Sequence, residues 1–422
     1  MSLGKYSDRI LIYLLIGIFG ALTFFGISKV MILFIFFDSL FTREGRKRMR
    51  GVFSTRLFWW SFVFFLLYFL SGIYTKNMGD WLFQVESKSL FFFGTVAMMV
   101  ARPEWKRHEG RFLKWLITIT TAGILFSLGQ AIFRIIDTNQ WSRNFPNGAF
   151  DSWYLSYTAL AENINHPSYY SFLVVASICA LFALKDRAQK PWPIRYTLPL
   201  GTILFVFLIM LQARMVILAF LGILAITVII WLFKRRSPFR WAALLFPIAS
   251  LIAFTFIPSE SLGRFGDLKG LDYDLKDPDH SHFNGFTIRL AEWTCTWDVI
   301  QANPFIGVGG GDVTDELVKA YEKRGFVIGV ERRYNPHNQY LQSWVAIGIT
   351  GLAWLILTAI LFMRVGFRRW DLPLWIWSGT FFISMLAESV LEREAGLVHL
   401  FFIGGLFLFG GEKKETQEKS KE

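Results

Sequence analysis

The chain has 422 residues, 54% of them hydrophobic and 18% aromatic, with a net charge of +12. Apolar runs recur from Ile10 to Gly411 at lengths suited to a bilayer's hydrocarbon core, which excludes a water-soluble globular domain. The basic excess falls in short loops between those runs, which removes nucleic acid as its reason.

The first apolar run, Ile10–Ile27, has no small-residue cleavage site and continues into further apolar sequence. It reads as a span, not a cleavable signal. Residues 10–41 are open between one tilted helix and a tight hairpin around Gly26–Lys29. The hairpin fits better, because Lys5, Arg9 and the Arg43–Arg50 cluster then all lie in the cytoplasm. The later expected spans are 57–73, 88–100, 112–135, 167–184, 196–211, 215–233, 241–257, 340–363, 373–390 and 396–411. Leu198–Phe233 has to be two of them, since one helix of that length would run about 54 Å against a core of about 30 Å.

Charge sets the expected orientation. Arg102–Arg111, Lys185–Arg195, Lys234–Arg240, Arg364–Arg369 and the tail after Gly411 are Lys/Arg-rich and stay inside. The outer segments are then Tyr74–Ser87, Ile136–His166, a tight turn near Arg214, Pro258–Pro336 and Leu391–Ala395. The expected fold class is all-α, a polytopic transmembrane bundle of about twelve spans with a partly helical periplasmic loop. Residues 1–257 form the first membrane part, 258–336 the loop region, 337–411 the second membrane part and 412–422 a charged cytoplasmic tail. Cys179 falls in a span and Cys295 in the loop, which disfavours a disulfide. No CxxC or paired metal-ligand pattern occurs.

The outer loop carries the chemistry. Gly263–Asn284 is Gly- and Asp-rich; its DYDLKDPDHSH stretch (272–282) reads as solvated loop before it reads as a cation site. Thr287 is expected to cap a helix over Ile288–Gln301, on which Arg289, Glu292, Trp293, Thr296 and Trp297 share a face. Asn303-Pro304 ends it, and Gly307-Val-Gly309-Gly-Gly supplies positions for positive φ or close approach of a ligand. A second helix follows over about Val313–Arg324. Asn335 reads as N-cap and Pro336 as the first helical residue, placing His337 and Asn338 in the first turn of the next span. There the positive helix end attracts phosphate and disfavours imidazolium, so His337 can accept a proton.

Arg214 lies at the outer turn with no acidic sequence neighbour. Such residues at membrane depth are functional or paired, and two planar guanidinium forks, Arg214 and Arg289, could bracket a pyrophosphate. Plainer readings stand beside these: a snorkelling Arg214, an Arg289–Glu292 pair, a His337 that only hydrogen-bonds at the interface. The joint occurrence favours the site. His166-Pro167 starts a span and is open between lining the site and starting a helix. Glu388, Glu392 and Arg393 flank the last outer turn, either positioning an acceptor or pairing among themselves. His399 reads as a packed polar residue, and His108 lies on the wrong side.

These residues resemble the O-antigen ligase and polymerase superfamily of bacterial envelope glycosyltransferases. The likeness rests on Arg289…Trp293, Asn303-Pro-Phe-Ile-Gly-Val-Gly-Gly-Gly311, His337-Asn338-Gln-Tyr-Leu341, Gly348-Ile-Thr-Gly351, Gln212-Ala-Arg214 and Asn165-His166-Pro167. Where relatives often have Ser-Arg-Gly, this chain has Gln212-Ala213-Arg214, which puts the hairpin geometry in question. The resemblance implies a glycan donor on undecaprenyl pyrophosphate, with Arg214 and Arg289 as pyrophosphate ligands and His337 as the base on the acceptor hydroxyl. Asn338, His166, Trp293, Gly307, Gly309, Glu388 and Arg393 are the expected substrate-binding residues. It implies an inner-membrane enzyme with a periplasmic site, using no cofactor or metal, with lipid A core as the favoured acceptor. Polymerase, protein-glycosylating transferase and lipid-linked-glycan transporter are the alternatives. A compact chain with one modest outer loop favours ligase. The absence of a clear internal repeat disfavours the transporter.

Overall fold

The computed structural model describes residues 3–22, 24–137, 155, 160–187, 192–235, 275 and 285–411. Every regular element among them is helical. The expected span 241–257, the 272–282 stretch apart from Leu275 and the charged tail lie outside the described residues.

The N-terminal helices α1 (Leu3–Gly20) and α2 (Phe25–Phe41) form the expected hairpin. Its turn falls between Gly20 and Phe25, earlier than Gly26–Lys29. Gly20 explains the shift: a Cβ there would lie 2.5 Å from Ser28 Oγ, so the crossing can close at that point. Ser28 Oγ donates to Gly17 O at 2.8 Å, and at the far end Arg9 grips Asp38 with two 2.7 Å bonds. A short helix α3 (Arg43–Phe53), capped by Thr42, turns 107° from α2. It leads into α4 (Arg56–Leu70), α5 (Met78–Lys88), α6 (Leu90–Val100) and α7 (Arg102–Asp137), the last kinked at His108.

Next come α8 (Pro167–Arg187), α9 (Ile194–Met210) and α10 (Arg214–Lys234). The polar excursion contributes α11 (Thr287–Ala302), α12 (Val313–Arg324) and α13 (Val327–Arg332). The bundle closes with α14 (Gln339–Arg368), α15 (Leu372–Ser384) and α16 (Glu394–Gly410), whose middle, His399–Ile403, is a fully buried π-helical segment.

Five described helices are long and apolar enough to cross a membrane: Arg56–Ile73, Arg102–Asp137, Pro167–Lys185, Arg214–Lys234 and Gln339–Arg368. The bent pair Phe25–Phe41 with Arg43–Phe53 makes a sixth if counted as one span. This is a multi-pass membrane protein; among the described residues, five or six of the twelve spans expected from apolar runs are full-length helices. The runs at 196–211, 373–390 and 396–411 form helices of 17 residues or fewer, or helices broken within. The run at 88–100 yields only α6, because α5 ends at Lys88 and turns.

The glycine-rich stretch has a structural use. Gly307 and Gly309 both take positive φ (73° and 101°), and α14 opens at Ile347–Gly348, where Gly348 has φ +70°. Into that opening the loop docks edge-on. Val308 N donates to Val345 O (2.8 Å), Gly309 N to Ala346 O (3.0 Å), and Ile349 N to Pro304 O (3.0 Å). A Cβ on Gly348 would stand 2.0 Å from Phe305 O, so only glycine permits the approach.

Candidate functional site

Four segments converge on a cavity of about 310 Å³. They are the start of α8 (Ser168, Phe172), the α9–α10 turn (Gln212–Val216), the start of α11 (Gly285, Phe286, Arg289, Trp293) and the chain leaving α15 (Ser384, Leu386–Glu388). The α9–α10 turn closes without glycine because Gln212 itself adopts φ +48°, which answers the question raised by the Gln-Ala-Arg sequence. Arg214 is then the first residue of α10 and a wall of the cavity.

Arg289 lies in the first turn of α11. Thr287 is buried as the first helical residue, not the cap; Phe286 precedes it and supplies no side-chain bond. Arg289 Nη1 donates to Gly285 O at 2.5 Å and Nε to Ala387 O at 3.2 Å. These two carbonyls hold the guanidinium in place. A Cβ added to Gly285 would be 3.0 Å from Arg214 Nη2 and 3.7 Å from Arg289 Nη1. The two forks therefore flank one backbone position inside one cavity. Two planar cations so placed suit a pyrophosphate.

Beside the cavity, α11 meets the segment before α14. Helix α14 begins at Gln339 with Asn338 as its cap, three residues later than Asn335-Pro336 suggested. Asn338 Oδ1 accepts from Tyr340 N (3.0 Å) and Leu341 N (3.2 Å), so this side chain is spent on the helix start. Asn335 Oδ1 instead accepts from His337 N (2.8 Å) and Ser389 Oγ (3.2 Å). His337 sits ahead of the helix in the left-handed region, φ +42°, a conformation that costs a non-glycine residue energy and that surrounding contacts must impose.

The ring of His337 reaches Glu292. Nδ1 is 3.0 and 2.9 Å from the two carboxylate oxygens, with the Glu292 side chain fully buried and His337 27% exposed. Burial pushes the Glu292 carboxyl up from its ordinary value, while the His337 hydrogen bond pulls it back. With Glu292 ionised, Nδ1 carries the hydrogen and Nε2 is left to accept a proton. Trp293 Nε1 donates to Pro336 O at 2.9 Å, linking this dyad to the cavity wall.

The structure thus brings Arg214, Arg289, Trp293 and Glu388 into one cavity, with His337 adjoining it. Gly307 and Gly309 lie elsewhere. The backbone N–H groups of residues 307–312 all donate within the protein: to Asn303 O, Val345 O, Ala346 O, Ser71 Oγ, Thr75 Oγ1 and Gly309 O in turn. None is left for a phosphate. His166 stands at the start of α8 with its ring 6.0 Å from Tyr169, two residues before the wall residue Ser168. Arg393 precedes α16 and is not a wall of the cavity. The last outer carboxylates part company: Glu388 faces the cavity, whereas Glu392 is drawn inward. Its Oε2 is 3.1 Å from the fully buried Lys88 Nζ, and its Oε1 accepts from Gln339 Nε2 at 2.9 Å.

Glu292 is the residue of this arrangement that sequence reasoning left out of the site. Its place three residues after Arg289 offered an Arg–Glu pair only as the plainer alternative. The fold hands the carboxylate to a histidine 45 positions away. Among the described residues no cluster of three or more His, Cys, Asp or Glu side chains is arranged to hold a metal ion. Cys179 and Cys295 are both free and buried.

Residues 199–356 match the family model described as O-antigen ligase. That stretch contains Arg214, Arg289, Glu292 and His337 and ends before Glu388. A search of curated proteins returned no match.

Proposed function

We propose that this chain, whose residues 199–356 match the O-antigen ligase family model, is a glycosyltransferase that moves a glycan from undecaprenyl pyrophosphate to an acceptor hydroxyl at the periplasmic membrane face. Lipid A core is the proposed acceptor. The observation that carries this reading is the pair of guanidinium groups flanking Gly285 within one cavity, beside a buried carboxylate–histidine dyad.

In the proposed reaction Arg214 and Arg289 hold the donor pyrophosphate. His337 Nε2 takes the proton of the acceptor hydroxyl, and Glu292 keeps the ring in the tautomer that allows it. The acceptor oxygen bonds to the anomeric carbon as the bond from that carbon to phosphate breaks. The electron pair leaves with undecaprenyl pyrophosphate, and configuration inverts. Charge that develops on the departing phosphate meets two preplaced cations, which stabilise it without a metal ion. A positioned general base contributes roughly 10²–10⁴-fold. Trp293 and Glu388 line the space next to the arginines and are the proposed contacts for sugar; Glu388 accepts hydrogen bonds from sugar hydroxyls.

A strain lacking the chain tests this, with lipopolysaccharide on gels and the lipid-linked glycan pool measured together. Polymer accumulating on undecaprenyl pyrophosphate over bare core, rescued by the intact chain but not by His337→Ala, Arg214→Ala or Arg289→Ala, is the expected result. Core capped by a single repeat would assign a polymerase instead. Full rescue by His337→Ala would remove the general base.

A further inference from the structure

Helix α3 plays no part in the cavity, yet its sequence, REGRKRMRGVF, separates a small apolar face from a cationic one. Gly45, Met49 and Val52 are buried against the bundle, while Arg43, Arg46, Lys47 and Arg50 are all exposed. Those four positions follow the i, i+3, i+4, i+7 rule and make one ridge of cations about 10 Å long. The fifth cation, Arg48, is committed elsewhere: it bonds Glu104 at 2.8 Å, Glu44 at 3.1 Å and Val100 O at 3.2 Å. Arg48 ties the helix to α7; within the ridge, Arg46 Nη1 donates to Leu40 O at 3.0 Å while its side chain stays exposed.

The position of the ridge is set by its neighbours. At one end α3 follows α2 after a 107° bend; at the other, Ser54-Thr55 leads into α4, which is long and apolar enough to cross a membrane. The residues flanking both junctions are large, apolar and exposed: Phe41 (79%), Phe53 (39%) and Trp59 (54%). Apolar surface of that kind is covered by acyl chains, with tryptophan at headgroup depth. A cationic ridge lying across the axis of α2 at that level meets phosphates.

We infer that α3 is a membrane-surface helix whose Arg43–Arg46–Lys47–Arg50 ridge binds the anionic headgroups of phospholipids in the leaflet on which it lies. Cations held at an anionic surface attract it strongly and additively. The ridge thereby fixes the depth of α4 and of the α1–α2 hairpin. This inference is independent of the proposed transfer reaction.

The test uses the purified full chain in mild detergent, offered an equimolar mixture of phosphatidylglycerol and phosphatidylcholine and read by native mass spectrometry. Intact chain should retain phosphatidylglycerol in preference. The variant Arg43→Gln/Arg46→Gln/Lys47→Gln/Arg50→Gln, with Arg48 and both cavity arginines intact, should lose that preference by roughly tenfold or more. Raising ionic strength should weaken retention by the unaltered protein, a reading that needs no variant to fold. Three results would overturn the inference: an undiminished preference in the variant, retention indifferent to salt, or displacement of the lipid by inorganic phosphate at equal concentration. The last would assign the ridge to soluble anions.

Discussion

Replacing Lys88 by methionine removes one half of an ion pair sealed inside the protein. The Lys88 side chain is 0% exposed and Glu392 only 9%. Lys88 Nζ also donates to Leu391 O at 2.7 Å and lies 5.2 Å from the centre of the Tyr68 ring. An exposed pair would be worth at most about 1 kcal/mol. Here the loss leaves a carboxylate with little access to water and one remaining bond, from Gln339 Nε2. Breaking such a pair from one side costs about 3–5 kcal/mol, most of it the penalty on the stranded charge. Removing both charges together, in Lys88→Met/Glu392→Gln, should restore most of that stability, because no charge is left buried alone. The check is thermal unfolding in detergent followed by tryptophan fluorescence. The expected order is unaltered chain close to the double variant, with Lys88→Met well below both. A single variant that melts with the unaltered chain, or a double variant as unstable as the single, would refute the argument from stranded charge. The segment at stake also borders the cavity, since Ala387, five residues before Glu392, accepts from Arg289 Nε through its carbonyl.

Four further outcomes are expected. Glu292→Gln keeps shape but not charge, and should lower turnover by about 10²-fold, the lower end of what a general base contributes, with expression retained; unchanged turnover would detach Glu292 from the chemistry. Arg289→Lys keeps charge but cannot reach Gly285 O and Ala387 O while presenting a planar fork, so transfer should fall about tenfold or more in a donor titration. Gly348→Ala puts a methyl 2.0 Å from Phe305 O at φ +70°, and should lower stability by at least the ~1–3 kcal/mol of such backbone strain, read as a lower melting midpoint. Asp298 and Asp315 are held below the usual carboxylate range, first by the hydrogen bonds from Arg324 and Asn77 respectively. Their contribution is present above the ordinary value and fades as pH falls through the depressed one. Amide protection factors across α11–α13, corrected for the intrinsic exchange rate, should therefore fall below about pH 4, and pH-independent protection would argue against these pairs.

Much of this architecture is dictated locally. Apolar runs of bilayer length made a multi-pass helical bundle unavoidable. Helix α12 has the expected bounds, Val313–Arg324, because Asp315 and Glu316 in its first turn, Lys323 and Arg324 in its last and Gly325 beyond it are all local signals. The α9–α10 turn at Arg214 followed from length alone. What failed was any reading in which two local solutions competed. Asn335-Pro336 and Asn338 each offered a sound helix start. The choice went to Asn338 because Asn335 is already engaged with His337 and Ser389, the latter from a segment 54 residues away. The glycines at 307–311 were equally fit to cradle a ligand or to admit another backbone, and the opening of α14 at Gly348 decided for the backbone. Glu292 could pair within its helix or across to His337, and Glu388 and Glu392 were indistinguishable until Lys88 buried one of them. Residue type and spacing thus determined that a membrane bundle carries two arginines and a histidine at one end. Which groups face each other there is a through-space question, settled by packing between segments far apart in the chain, and only the tertiary structure decides it.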